Sequence, residues 1–115
     1  MDLAKEQELS FAVMNLIALE EHLAFTAAKT GRQEYIDFLN DIRKVRSKYL
    51  KDIVSNDEGE AWCISKHLLV TVMRLTETAI KYGAEGNKKK AMELLSDAID
   101  AYQAFWVFQK IGSKK

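Results

Sequence analysis

The sequence predicts an all-α protein, an up-and-down antiparallel four-helix bundle. Three observations carry this. There is no proline in 115 residues, so nothing forces a helix interior to break. Short polar breaks, each with a glycine, interrupt the chain at Lys29-Thr30-Gly31-Arg32, Ser55-Asn56-Asp57-Glu58-Gly59 and Glu85-Gly86-Asn87. Between the breaks, apolar side chains recur at helical spacing and alternating β-branched runs are missing.

These breaks place helices near 3–29, 32–54, 58–84 and 88–111. Each glycine can take the left-handed conformation that ends a helix. Thr30 with Gln33, and Asp57 with Glu60, have capping-box spacing. Asn87 is placed to cap the last helix, and Gly112 to end it. Connections this short make sequence neighbours antiparallel. A hydrophobic share of 48% supplies a sizeable core and argues against disorder. One domain over 1–115 is expected.

Helix one carries two apolar stripes. Leu9, Val13, Leu16, Leu23 and Ala27 form the first, and Phe11, Met14, Ala18 and Phe25 the second, on the opposite side. A bundle monomer buries one side of each helix. The second stripe, flanked by Glu21 and His22, therefore predicts a partner, and a second copy of the chain is the expected one. Phe11, Met14, Ala18, His22 and Phe25 are the candidate interface.

Helix two places Tyr35, Phe38, Leu39, Ile42, Val45, Tyr49 and Ile53 on one face. Helix three does so with Ala61, Ile64, Leu68, Val72, Leu75 and Ala79, and helix four with Ala91, Leu95, Ala98, Tyr102 and Phe105. In a bundle, Tyr49, Trp62, Phe105, Trp106 and Phe108 gather at one end.

Two sets of residues could carry chemistry. Glu20 interrupts the core stripe of helix one, and Arg46 that of helix two. A lone buried carboxylate is costly and demands a partner. Reflecting the first hairpin about its loop brings Glu20 within about a turn of Arg43 and Arg46, with Tyr102 at a similar level. Such a cluster would either hold a small polar ligand or fix the helices with an internal ion pair, and the ion pair is the plainer expectation. Cys63 and His67 lie four apart on helix three and share a face, with Glu60 three before Cys63. That set could hold a metal, but zinc wants three or four ligands and only two are well spaced. Cys63, His67, Val70 and Arg74 also make a line that suits either an interface or solvent.

The last hairpin resembles a tetratricopeptide-repeat unit: Ala79, Tyr82, Gly86, Ala91, Leu95 and Ala98 match the spacing of that consensus. The match spans about 30 residues, one repeat. Gln103 stands where the repeat usually has proline, and only Ala24, Gly31 and Ile36 echo it in the first hairpin. The resemblance implies close helix approach through small residues, and a lone unit implies a tight αα-hairpin rather than a peptide-binding array. The run Gly59-Glu60-Ala61-Trp62-Cys63-Ile64-Ser65-Lys66-His67-Leu68-Leu69, with Met73-Arg74-Leu75, resembles small prokaryotic four-helix-bundle proteins. That resemblance brings no activity with it.

Other classes are disfavoured. Lys+Arg and Asp+Glu both count 17, so the basic excess of a nucleic-acid binder is missing. Arg43, Lys44, Arg46, Lys48 and Lys51 scatter around helix two, and Lys88-Lys89-Lys90 reads as a solvated start of helix four. The longest uncharged run, Leu9 to Leu19, falls short of the roughly 20 apolar residues that span a bilayer. The acidic N-terminus does not suit a secretory signal. A single cysteine points to a reducing cytoplasm. Neither His22 nor His67 has the upstream arginine of helical-bundle RNases, and no phosphate loop, nucleophile elbow or paired CxxC occurs, so no cofactor is expected. The expectation is a small self-associating interaction or scaffold protein; the rival is a small-molecule- or metal-binding bundle with possible enzymatic activity.

Overall fold

The computed structural model describes residues 3–111, and these form four helices with no strand among them. The helices are α1 (Leu3–Thr30), α2 (Gln33–Ile53), α3 (Gly59–Ala84) and α4 (Lys88–Ile111). The all-α expectation holds, and every helix boundary falls within a residue of its predicted place. Helix α1 packs on α2, and α3 on α4, giving two αα-hairpins that divide between Ile53 and Val54.

Both hairpin loops turn on a glycine. Gly31 has φ of 68°, and its N–H donates to the Ala27 carbonyl at 2.8 Å, closing the exposed end of α1. Gly86 has φ of 86°; its N–H donates to the Gly83 carbonyl at 3.0 Å while the Asn87 N–H reaches back to Tyr82 at 2.9 Å. This paired motif satisfies two carbonyls that the end of α3 would leave unbonded. The Asn87 side chain then accepts from the Lys90 N–H at 3.1 Å and caps α4, as its position predicts.

The other caps differ from expectation. Thr30 is the last residue of α1, not a cap for α2; its hydroxyl donates to the Thr26 carbonyl at 2.8 Å. The same oxygen accepts from the Arg32 N–H at 3.3 Å, so it serves the turn as well as the end of α1. No Asp57–Glu60 capping box opens α3: its N-cap is Glu58, which makes no side-chain cap bond. Asn56 instead accepts from the Glu58 N–H at 3.2 Å. Gly59, with φ of 55°, begins α3 rather than ending α2. Gly112 lies outside the described residues.

The buried side chains trace a narrow seam in each hairpin. In the first hairpin Val13, Leu23, Ala27, Leu50 and Ile53 are buried; in the second, Leu69, Val72, Ala79, Ala91, Ala98 and Phe105. Two predicted faces are displaced. Phe38 and Val45 of α2 are 52% and 43% exposed, while Arg46 and Leu50 are buried. Ile64 of α3 is 42% exposed, while Ser65 and Leu69 are buried. At 100° per residue, both seams sit roughly 50–60° around from the averaged apolar stripe. An averaged stripe mixes residues of the seam with residues of a second apolar line.

Small residues let α3 and α4 approach closely. A methyl group on Gly83 would stand 3.9 Å from the Ala91 Cβ, and Ala79 and Ala98 are buried on the same two helices. The aromatic cluster forms in part: Trp106 meets Phe105 edge to face at 4.8 Å and Tyr102 at 6.0 Å. Trp62 and Phe108 are half-buried in the same hairpin, and Tyr49 belongs to the other one.

Candidate interaction face and buried ion pair

Helix α1 is the longest element, 28 residues, and it has a wet apolar line beside its buried one. Phe11 is 48% exposed, Phe25 is 67% exposed, and Ala18 between them is half-buried. These three are spaced by seven residues, so they stand nearly one above another along the helix. His22 is exposed beside them. Met14 does not belong to this face, because it is only 3% exposed. It lies about 60° around the helix from Phe11, enough to carry it to the buried side. A shallow hollow of about 500 Å³ runs along the same helix, lined by Ala4, Lys5, Glu8, Leu9 and Ala12.

Sequence spacing finds the buried ion pair. Arg46 donates from Nε to Glu20 Oε2 at 2.8 Å and from Nη2 to Oε1 at 3.0 Å, a fork meeting a carboxylate. The Arg46 side chain is 5% exposed and that of Glu20 14%. Arg43 is exposed, one turn earlier on the outer side of α2, and is not part of the pair. Tyr102 stands in the second hairpin, where its ring meets Trp106. The guanidinium and the carboxylate thus engage each other, with both carboxylate oxygens bonded.

Glu60, Cys63 and His67 are all exposed. Among the described residues no three His, Cys, Asp or Glu side chains gather as a metal site would require, so this trio does not form a ligand set. Helical spacing puts Cys63 and His67 on one face but leaves that face open to solvent.

One polar network was not foreseen. The Gln109 carboxamide accepts from the Ser55 N–H at 3.0 Å and donates to the buried Ser65 hydroxyl at 3.0 Å and the Phe105 carbonyl at 3.1 Å. It ties the start of the second hairpin to the end of α4. Trp106 Nε1 is buried nearby in sequence and has no hydrogen-bond partner among the described residues. At the surface, the Arg32 guanidinium holds the Glu34 carboxyl below its ordinary value. Glu93 holds the Lys90 ammonium above its own.

Among the described residues one helix, over Ala4–Thr30, is long and apolar enough to cross a membrane by length and composition; 28% of its most apolar window is buried. This goes beyond the expectation from the uncharged run, because an 18-residue window that holds no more than two charges still passes. Compared with known proteins, the chain matches no family model, no curated protein and no solved structure.

Proposed function

We propose that this chain is a helical interaction module that self-associates through the outer face of α1, its two hairpins closing into an up-and-down antiparallel four-helix bundle. The observation that carries the reading is the line Phe11–Ala18–Phe25, which keeps two phenyl rings about half or more exposed. Exposing aromatic surface of this size is costly unless something covers it. Closure of the bundle is supported by a second apolar line in each hairpin. Ile42 and Tyr49 lie beside the α2 seam, and Leu95, Tyr102 and Trp106 beside the α4 seam, all half-buried.

A bilayer suits α1 less well than a protein partner does. Glu20, Glu21 and His22 fall near the middle of the Ala4–Thr30 span, and a carboxylate at a bilayer centre costs about 2.5–3.5 kcal/mol even on the mildest scale. The single thiol, exposed at Cys63, suits a reducing cytoplasm. The rival reading, a ligand held by Glu20 and Arg46, must open an ion pair that is already bidentate.

Native mass spectrometry on untagged protein, purified without chelator over a concentration series, tests the proposal. The expected species is a homodimer with no added mass. A monomer at every concentration overturns self-association. A discrete added mass that disappears in Glu20→Gln favours the ligand-binding reading instead.

A further inference from the structure

We infer that the partner on this face is a second copy of α1, docked antiparallel about a two-fold axis so that every phenyl ring faces an alanine. The inference rests on the self-association reading and specifies its geometry.

The line extends further than its aromatic members. Ala4, Phe11, Ala18 and Phe25 recur every seven residues, and Ala4 is exposed like the rings. At 1.5 Å per residue the line runs about 32 Å. A strict seven-residue repeat is the spacing that keeps two helices in contact over such a length.

Its alternation of small and large decides direction. In a parallel pair, Phe11 would meet Phe11 and Ala18 would meet Ala18, leaving crowded layers between empty ones. Both faults are costly. An antiparallel pair with its axis between Met14 and Asn15 sets Phe11 against the partner's Ala18 and Phe25 against the partner's Ala4. All four layers then hold one ring and one methyl group. The arrangement is self-complementary, as a two-fold interface must be.

Two independent features agree with this alignment. Phe25, the ring that the alignment covers with the partner's Ala4, is the more exposed of the two, at 67%. The flanking line Glu8, Asn15, His22 is exposed throughout. The same axis brings Glu8 within one residue, about 1.5 Å of rise, of the partner's His22, and Asn15 within one residue of the partner's Asn15. A parallel pair would oppose Glu8 to Glu8. Complementary flanks of this kind fix direction in paired helices.

Light scattering during size exclusion, with circular dichroism as the check on folding, reads the outcome. Ala18→Phe should raise the dimer dissociation constant by roughly tenfold or more, because it sets ring against ring. Adding Phe11→Ala should restore dimerisation, because ring and methyl have changed places. In a Cys63→Ser background, Asn15→Cys should cross-link into a disulfide dimer on mild oxidation, since the two thiols flank the axis. This exposed change also reads the geometry if Ala18→Phe fails to fold. A dimeric wild type that ignores Ala18→Phe, or whose Asn15→Cys form does not cross-link, overturns the antiparallel alignment and leaves self-association standing. A monomeric wild type overturns both.

Discussion

Removing Glu20 strands a guanidinium, and the stranding is what costs. Arg46 has a 5% exposed side chain and spends both Nε and Nη2 on that one carboxylate. Glu20→Leu should therefore lose about 3 kcal/mol in urea unfolding, while Glu20→Leu with Arg46→Met should recover most of it, because a well-packed apolar pair replaces a buried ion pair at little cost. Equal losses in the single and the double variant would mean that the charges are solvated and the pair is idle. The surface groups behave differently with pH. Glu34 sits below its ordinary 4.5, so its contribution is complete above 4.5 and is lost as pH falls through the depressed value. Lys90 sits above its ordinary 10.5, so its contribution is complete below 10.5 and is lost as pH rises through the raised value. Thermal unfolding of Glu34→Gln and Glu93→Gln should match wild type at those respective extremes and differ from it, slightly, between them. Glu20 and Arg46 were legible because a charge on an apolar stripe must be answered. The Gln109 carboxamide was not, since its partners Ser55 and Ser65 are 54 and 44 residues away and are ordinary polar residues in the sequence.

Helix ends were legible to a residue, but their chemistry only in part. A glycine after an apolar run signals an end wherever φ must turn positive, which Gly31 and Gly86 bear out. A capping box is a weaker signal, because spacing alone does not say which side of the turn a hydroxyl serves. Thr30 donates back to α1 and accepts a longer bond from the Arg32 N–H of the turn, whereas Asn87 bonds forward into α4. Asn87→Ala should thus cost about 1 kcal/mol by chemical denaturation, and Thr30→Ala distinctly less. If the two cost the same, the Asn87 bond contributes no more than a local hydroxyl does. Helix faces were the least legible part. Phe38 and Val45 were expected inside on periodicity and stand 52% and 43% exposed, because α2 has two apolar lines and the hairpin seam takes only the one through Arg46 and Leu50. Hydrophobic periodicity shows that a helix has apolar sides; which side goes to which neighbour is decided by packing.

At the scale of the whole chain, the two hairpins can be followed separately without any label. Both tryptophans, Trp62 and Trp106, belong to the second hairpin, and the first has only tyrosine and phenylalanine rings. Tryptophan fluorescence therefore follows α3 and α4 alone, while far-ultraviolet circular dichroism follows all four helices. If the hairpins close into one bundle, neither has a separate core large enough to outlast the other, and the two probes should trace a single coincident urea transition. If they are independent units, fluorescence should report one midpoint and circular dichroism a broader or stepped curve. The proposed self-association adds a second handle. A dimer built on α1 stabilises the first hairpin by mass action, so its midpoint should rise with protein concentration. In a closed bundle the fluorescence midpoint must rise equally, although no tryptophan lies near α1 in sequence. In a chain of independent hairpins it must stay fixed while the dichroism midpoint moves. The same titration thus separates the bundle from the dimer: concentration dependence reports the α1 face, and its transmission to Trp62 and Trp106 reports whether the two hairpins unfold as one.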